Sequence, residues 1–217
     1  DHGIEVALFG RMVADSKDLN VDSAVQVAHA LSTHAVEIES DYFTAVDDYK
    51  LDEDDAGAGM IGTVEFTSET LYRFATVAVS TLKDNLGDVD LTAQAASAFV
   101  RGFIMSMPTG KQNTFANNTI PDAVVVQVRK GRSASFIGAF EDPVTSDDGG
   151  FVAASCQAVA AYAHDCEEAF LGAPEASFVT RVGSRTEAIG TMGTQMPIDD
   201  LVSSVRDQVT SLLQDES

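Results

Sequence analysis

Ala28–Asp48, AHALSTHAVEIESDYFTAVDD, sets Tyr42 and Phe43 among acids and runs directly into Asp47-Asp48-Tyr49-Lys50-Leu51-Asp52-Glu53-Asp54-Asp55-Ala56-Gly57-Ala58-Gly59. Charge repulsion and glycines in the second run favour a solvated excursion over a packed element. Tyr42–Val46 is too short and too isolated to make a core strand of its own. An apolar tip on such a projection needs a partner.

Working outward, GIEVALFGRMVA reads as a strand over Ile4–Ala14, with Gly10 as a bulge or close-approach point. Asp22-Ser23 can cap a short helix through Val25, Val27, Ala28 and Leu31. After the excursion, Gly62–Thr81 reads as two strands, one alternating at Val64 and Phe66 and one over Leu71–Val79. Leu91–Met107 is predicted to be a helix with Ala95, Phe99 and Phe103 near one face, stopped by Pro108. A polar loop over Pro108–Pro121 leads to a strand at Ala123–Val128 and a second at Ser135–Phe140. Val152, Cys156, Val159, Ala163, Cys166 and Phe170 recur at spacings of four and three, one apolar helical stripe. A short strand at Phe178–Val182 and an amphipathic helix carrying Val202, Val205, Val209 and Leu212 complete the chain. The pattern predicts an α+β sheet domain covered by helices on one side.

With 217 residues and 45% hydrophobic content the chain can bury one sizeable core. No apolar run approaches the roughly 18 to 20 residues that span a bilayer, so no membrane partner is expected. Cys156 and Cys166 lack zinc or redox spacing. Ten residues apart on one helix, they are roughly 15 Å from each other, too far for a disulfide.

The net charge of −21 is unevenly spread. Residues 1–58 carry 14 acids and 3 bases, and residues 134–217 repeat those counts. Residues 59–133 carry 6 acids and 7 bases, and five of those bases, Arg101, Lys111, Arg129, Lys130 and Arg132, fall between 101 and 132 beside only Asp122. Any phosphate-facing surface belongs in that middle third; the acidic flanks otherwise read as a solvating surface.

Seven separated words occur in order: ALFGRM (7–12), VAHALSTHAV (27–36), DYFTAVDD (41–48), GTVEFTSETLYRFA (62–75), LKDNLG (82–87), PTGKQNTFA (108–116) and QMP (195–197). In these words the chain resembles the CasC family, the backbone subunit that covers the RNA of type I-E CRISPR Cascade complexes. The resemblance implies an RRM-like, ferredoxin-type sheet of which residues 1–217 are the C-terminal part, with residues 13–60 inserted as a thumb. Members of that family begin with a further segment containing a Ser/Gln/Lys-rich helix that touches the guide, and this segment has no counterpart here. The chain also starts without Met, signal peptide or transit sequence, so it reads as a piece of a cytoplasmic protein. Such a piece is expected to self-associate, or to retain the missing segment non-covalently, and to bind RNA poorly by itself.

On residues alone Met12 reads as core, because it ends an apolar strand. The resemblance instead implies that Met12 and Phe43, with Arg11 and Thr44 beside them, flank a kink in the guide. Aromatic and thioether side chains such as Phe43 and Met12 stack on a base whatever its identity, and Arg11 can contact phosphate or pair with a nearby acid. The loop Lys111-Gln112-Asn113-Thr114 offers one cation, main-chain N–H groups next to Gly110, and amide and hydroxyl donors that position phosphate or 2′-hydroxyl without reading sequence. Relatives often carry a base where Asn113 stands. The loop lacks Walker spacing and a preceding strand, so nucleotide hydrolysis is not expected. His29, His34 and His164 read as structural or surface residues, and the acids at 47–55 lack an ordered metal-ligand pattern.

The resemblance implies a non-enzymatic module without a cofactor. Its expected partners are CRISPR RNA, target DNA through the guide duplex, further copies of itself and other Cascade subunits. The rival is a metal-dependent RNA-cleaving backbone subunit of type III kind using Asp47 or Asp48. If the middle third faces phosphate, Lys111→Ala should weaken binding to every RNA sequence alike and lower the salt slope by about one unit. An unchanged slope, read from titrations at several salt concentrations, would confine Lys111 to shaping its own loop.

Overall fold

The computed structural model describes residues 3–45, 60–146 and 150–215, and the acidic run at 46–59, with Asp47 and Asp48, lies outside them. The chain is α+β, as the alternation of strand and helix patterns predicts. Its sheet core pairs β7 (Ala123–Val128) antiparallel with β8 (Ala176–Arg181), and β8 runs parallel to the short β9 (Thr194–Gln195). Side chains two apart on β7 face the same way. Val124 and Val126, with Phe178, pack on α3 (Val89–Met105) and α6 (Ile198–Asp215). Ala123 and Val125, with Val179, pack on α5 (Val152–Cys166) and on the 3-10 segment Ser184–Met192. Helical structure therefore covers both faces of this sheet, where the residue pattern predicts one. The run Ala-Val-Val-Val at 123–126 is what a strand needs when both faces are covered.

The terminal helix buries Leu201, Val205, Val209 and Leu213, spaced by four, against Ala93 and Ile104 of α3. The other side of α3 supplies Ala95 and Ala96 to a second core. There they meet Ala7 and Leu8 of α1 (Ile4–Phe9), Ala24 and Val25 near β1 (Val25–Val27), and Leu82 and Leu86 of α2 (Val79–Leu86). Asp88 caps α3, its carboxylate accepting the Leu91 N–H at 2.7 Å.

Four local expectations change. Ile4–Phe9 is a helix rather than a strand, because adjacent Ala7 and Leu8 are both buried, which alternation does not allow. Gly10 ends it at φ +76°, and a Cβ there would stand 2.8 Å from the Val21 carbonyl, so the close approach is real. The stretch after Asp22-Ser23 is extended, with β1 paired to β6 (Ala75–Val77) and β2 (Leu31–Ser32) paired to β5 (Leu71–Tyr72). Ser23 does not cap a helix; its hydroxyl bonds the Val25 carbonyl at 2.7 Å. The stretch 135–140 contains a 3-10 turn, Ile137–Phe140, held by the Phe136 N–H donating to the Tyr72 hydroxyl at 3.0 Å. Phe170 leaves the α5 stripe, because Glu167–Leu171 winds as a π turn and exposes it.

α2 begins where the predicted strand over Leu71–Val79 ends, and its word LKDNLG has a helical explanation. Asn85 donates both amide protons, to the carbonyls of Ala7 at 3.0 Å and Asp22 at 2.9 Å, and Gly87 closes the helix in the left-handed conformation. Cys156 and Cys166 are both free thiols. Burial, and secondarily Asp122, pushes the Cys156 thiol above its ordinary value.

A buried polar knot joins the two halves. His34 stacks on Phe151 with ring centroids 3.7 Å apart, its Nε2 accepts the Thr70 N–H at 3.0 Å, and its Nδ1 donates to the Ala35 carbonyl at 2.8 Å. Thr33 alongside exchanges bonds with Thr70, Val144 and Ser155. His34→Phe keeps a ring on Phe151 but orphans the Thr70 N–H and the Ala35 carbonyl, and should cost about 1 to 3 kcal/mol in urea unfolding. A loss below the error of the extrapolation would show that solvent reaches those groups.

Candidate nucleic-acid interface

β3 (Glu39–Ala45) and β4 (Met60–Phe66) form a two-stranded antiparallel ribbon in the register Glu39↔Phe66 to Ala45↔Met60. Every residue of β3 is exposed, so the DYFT segment is a strand but carries no core. Directly opposed residues share a face: Phe43, Gly62, Val64 and Phe66 on one, and Tyr42, Thr44, Ile61 and Thr63 on the other. Gly62, Val64 and Phe66 are half-buried, while Tyr42 and Ile61 are 75% and 71% exposed.

Phe43 lies across Gly62, where an added Cβ would fall 2.5 Å from the ring. The absent side chain is the seat for the aromatic ring, which remains 43% exposed. Thr44, one residue on, points to the opposite face, so Phe43 and Thr44 do not present a single surface.

The segment 105–120 is exposed at every position. Within it α4 (Gln112–Phe115) is a single turn bracketed by two left-handed non-glycine residues, Lys111 at φ 55° and Ala116 at φ 50°. Such residues cost roughly 1 to 2 kcal/mol each. The side chains of Gln112, Asn113 and Thr114 make no hydrogen bond among the described residues and are free to donate outward. The Lys111 ammonium sits 5.8 Å from the Phe115 ring centroid.

The ribbon and this loop meet at one place. Phe66, at the root of the ribbon, has its ring centroid 6.2 Å from that of Phe115, tilted by 48°. Phe43 stands four residues along the same face from Phe66, about 13 Å at strand rise. The structure thus joins the Phe43 face to the Lys111 loop. Arg11 and Met12 belong elsewhere: Arg11 bridges Val21 through the backbone and donates Nε–H to the Leu19 carbonyl at 2.7 Å. No hydrogen bond, ion pair or ring contact among the described residues ties them to the ribbon or loop. Met12 is 89% exposed, so it is not a core residue.

Arg73 carries no signal of its own in the sequence, although it stands in the word LYR. Its guanidinium lies 4.5 Å from the Phe103 ring centroid and donates to the Phe103 carbonyl at 3.1 Å, at the end of α3 where the exposed loop begins. This is a favourable place for a cation near a helix C-terminus. Of the five central bases, Arg101 pairs with Asp199 and Arg129 with Glu167. Lys111, Lys130 and Arg132 are exposed without an acidic partner among the described residues. Among those residues no three His, Cys, Asp or Glu side chains converge to hold a metal ion, and no helix is long and apolar enough to cross a membrane.

Residues 1–204 match the model of the CT1975-like protein family of Cas proteins. The chain belongs to that family. Among solved structures, a chain of a "CRISPR RNA-guided surveillance complex, pre-nicking" is 35% identical, superposes with a TM-score of 0.84, and matches over 94% of this chain and 56% of its own length. A chain of a "CRISPR RNA-guided surveillance complex" is also 35% identical, with a TM-score of 0.81 over 93% of this chain and 78% of its own. This chain therefore spans little more than half of the first relative. No curated protein matches it.

Because Lys111 holds a left-handed backbone, Lys111→Gly should be more stable than Lys111→Ala by about 1 kcal/mol, although both remove the same charge. Equal urea midpoints for the two variants would mean that the loop does not carry this strain into the fold.

Proposed function

We propose that this CT1975-like chain is part of an RNA-binding backbone subunit of a CRISPR effector complex, of the CasC type found in type I-E Cascade. The observation that carries the reading is the Phe66–Phe115 contact. It places an exposed aromatic on a projecting ribbon and a cationic, donor-rich loop on one connected surface. Similarity at 35% identity to chains of RNA-guided surveillance complexes supports it.

In this reading the subunit is cytoplasmic, is not an enzyme and needs no cofactor. Copies line up along CRISPR RNA within an RRM-like framework completed by the rest of the protein, alongside other Cascade subunits. Phe43 stacks beside one nucleotide, and Lys111 with Gln112, Asn113 and Thr114 holds neighbouring phosphates and 2′-hydroxyls. Thr44, on the reverse face of the ribbon, lies against an adjoining nucleotide. Arg11 and Met12 act from their own loop on the other side of the kinked base. Target DNA then pairs with the guide, so sequence is read by base pairing while the protein supplies geometry.

Phe43→Ala in the intact protein should lose about 1 to 3 kcal/mol of guide affinity per base site. Its fold should be unchanged, because the ring rests only on a glycine and solvent. Filter binding with a labelled guide measures the loss, and equal affinity for wild type and variant would remove Phe43 from the interface.

A further inference from the structure

We propose that Lys130, Arg132 and Phe170 form a second contact site for single-stranded nucleic acid, an inference that rests on the nucleic-acid reading above. The site lies beyond the end of β7 opposite to the one that the 105–120 loop enters. Arg129 is its anchor. With only 8% of its side chain exposed, Arg129 donates to Gln127 Oε1 at 3.0 Å and to the Gly172 carbonyl at 2.8 Å, and pairs with Glu167. Two residues on, Gly131 at φ +90° turns the chain, with Lys130 and Arg132 on either side of it, both exposed. Neither has an acidic partner among the described residues. In a chain of net charge −21, two such cations within three residues mark a place where an external anion is wanted.

Arg129 also fixes the aromatic component. Glu167 opens the π turn Glu167–Leu171 and Gly172 closes it, the Gly172 N–H donating to the Glu167 carbonyl at 2.9 Å. By gripping Glu167 and Gly172 together, Arg129 clasps the cationic turn to the π turn. The four-and-three stripe of α5 would have buried a residue at position 170, and the π turn instead rotates Phe170 out to 89% exposure. Besides Glu167, the acids Asp165, Glu168 and Glu175 lie within five residues of Phe170 in the sequence, and Asp165 has no ion pair among the described residues. Glu168 is held 3.5 Å from His164, and Glu175 bonds the Val128 carbonyl through its backbone N–H. Neither forms an ion pair with Lys130 or Arg132. Cations for phosphate beside a bare ring for a base are the two components of a sequence-tolerant single-strand site.

The test uses the intact protein and two labelled probes, a uridine RNA homopolymer and a thymidine DNA homopolymer, titrated between about 50 and 200 mM salt. The double variant Lys130→Glu, Arg132→Glu should bind more weakly and lower the salt slope by about 0.7 for each phosphate no longer neutralised. Phe170→Ala should weaken binding roughly five- to 150-fold with the slope unchanged. All the altered side chains are exposed, so native circular dichroism and melting are expected. A larger loss on RNA assigns the site to the guide, and a larger loss on DNA assigns it to a target strand; either supports the inference. Phe43→Ala and Lys111→Gly are run in parallel. If those two weaken binding while the Lys130/Arg132 and Phe170 variants bind as wild type, the inference is overturned and the broader reading stands. If wild type binds neither probe, both fall. If the double variant alters only sedimentation of the assembly, the patch is a protein contact and the inference is overturned.

Discussion

The packing of α3 between two cores is the constraint on which the rest of the molecule depends. Ala93, Ala95 and Ala96 lie within four residues and are all nearly inaccessible, yet they face in different directions. Ala93 meets the Leu201, Val205, Val209 and Leu213 row of α6, whereas Ala95 and Ala96 meet α1 and α2. Helix axes approach to 8–10 Å according to the side chains between them, so three methyl groups let neighbours close on both sides at once. A larger side chain here would overpack at a cost of about 1 to 3 kcal/mol and push one neighbour away. The end of α3 is also where the exposed segment 105–120 begins. A packing contact with no role in recognition thereby fixes where Lys111 stands.

What the sequence revealed follows from the kind of signal each element carries. β7, β8, α3, α5 and α6 were legible because their apolar period is sustained and their ends carry turn or cap residues: Asp88 before α3, Pro197 before α6, Pro121 before β7. The N-terminal segment was not. GIEVALF alternates well enough for a strand, and only tertiary burial of neighbouring Ala7 and Leu8 decides for helix. The same holds for α2, whose β-branched start hides a helix fixed by Asn85 bonds to residues more than sixty positions away. Periodicity predicts Phe170 inward, and a π turn overrides it, which no local propensity announces.

The candidate site was half legible. Residue type marked the Lys111 loop and the exposed Phe43, because cations beside glycines and aromatics among acids are visible in one dimension. Their connection was not, since Phe66 and Phe115 are ordinary apolar residues whose meeting depends on the path of α3. Charge counting also needed the structure. Arg101 and Arg129 raise the cationic count of the middle third but are taken up by Asp199 and Glu167, and the surface that remains is narrower than the composition suggests.

An isolated two-stranded ribbon is marginal in water, and β3 contributes no buried residue to offset that. The Phe66–Phe115 contact is therefore the ring contact that ties the ribbon to the 105–120 loop, while the seating of Phe43 on Gly62 stays within the ribbon. The loop is under a matching demand, because a four-residue helix between two left-handed non-glycine residues does not persist by its own propensity. Each supplies the other's missing partner. The aromatic contact at the root then sets the spacing between the Phe43 ring and the Lys111 ammonium. A ligand that engages both ends would tighten the contact that aligns them.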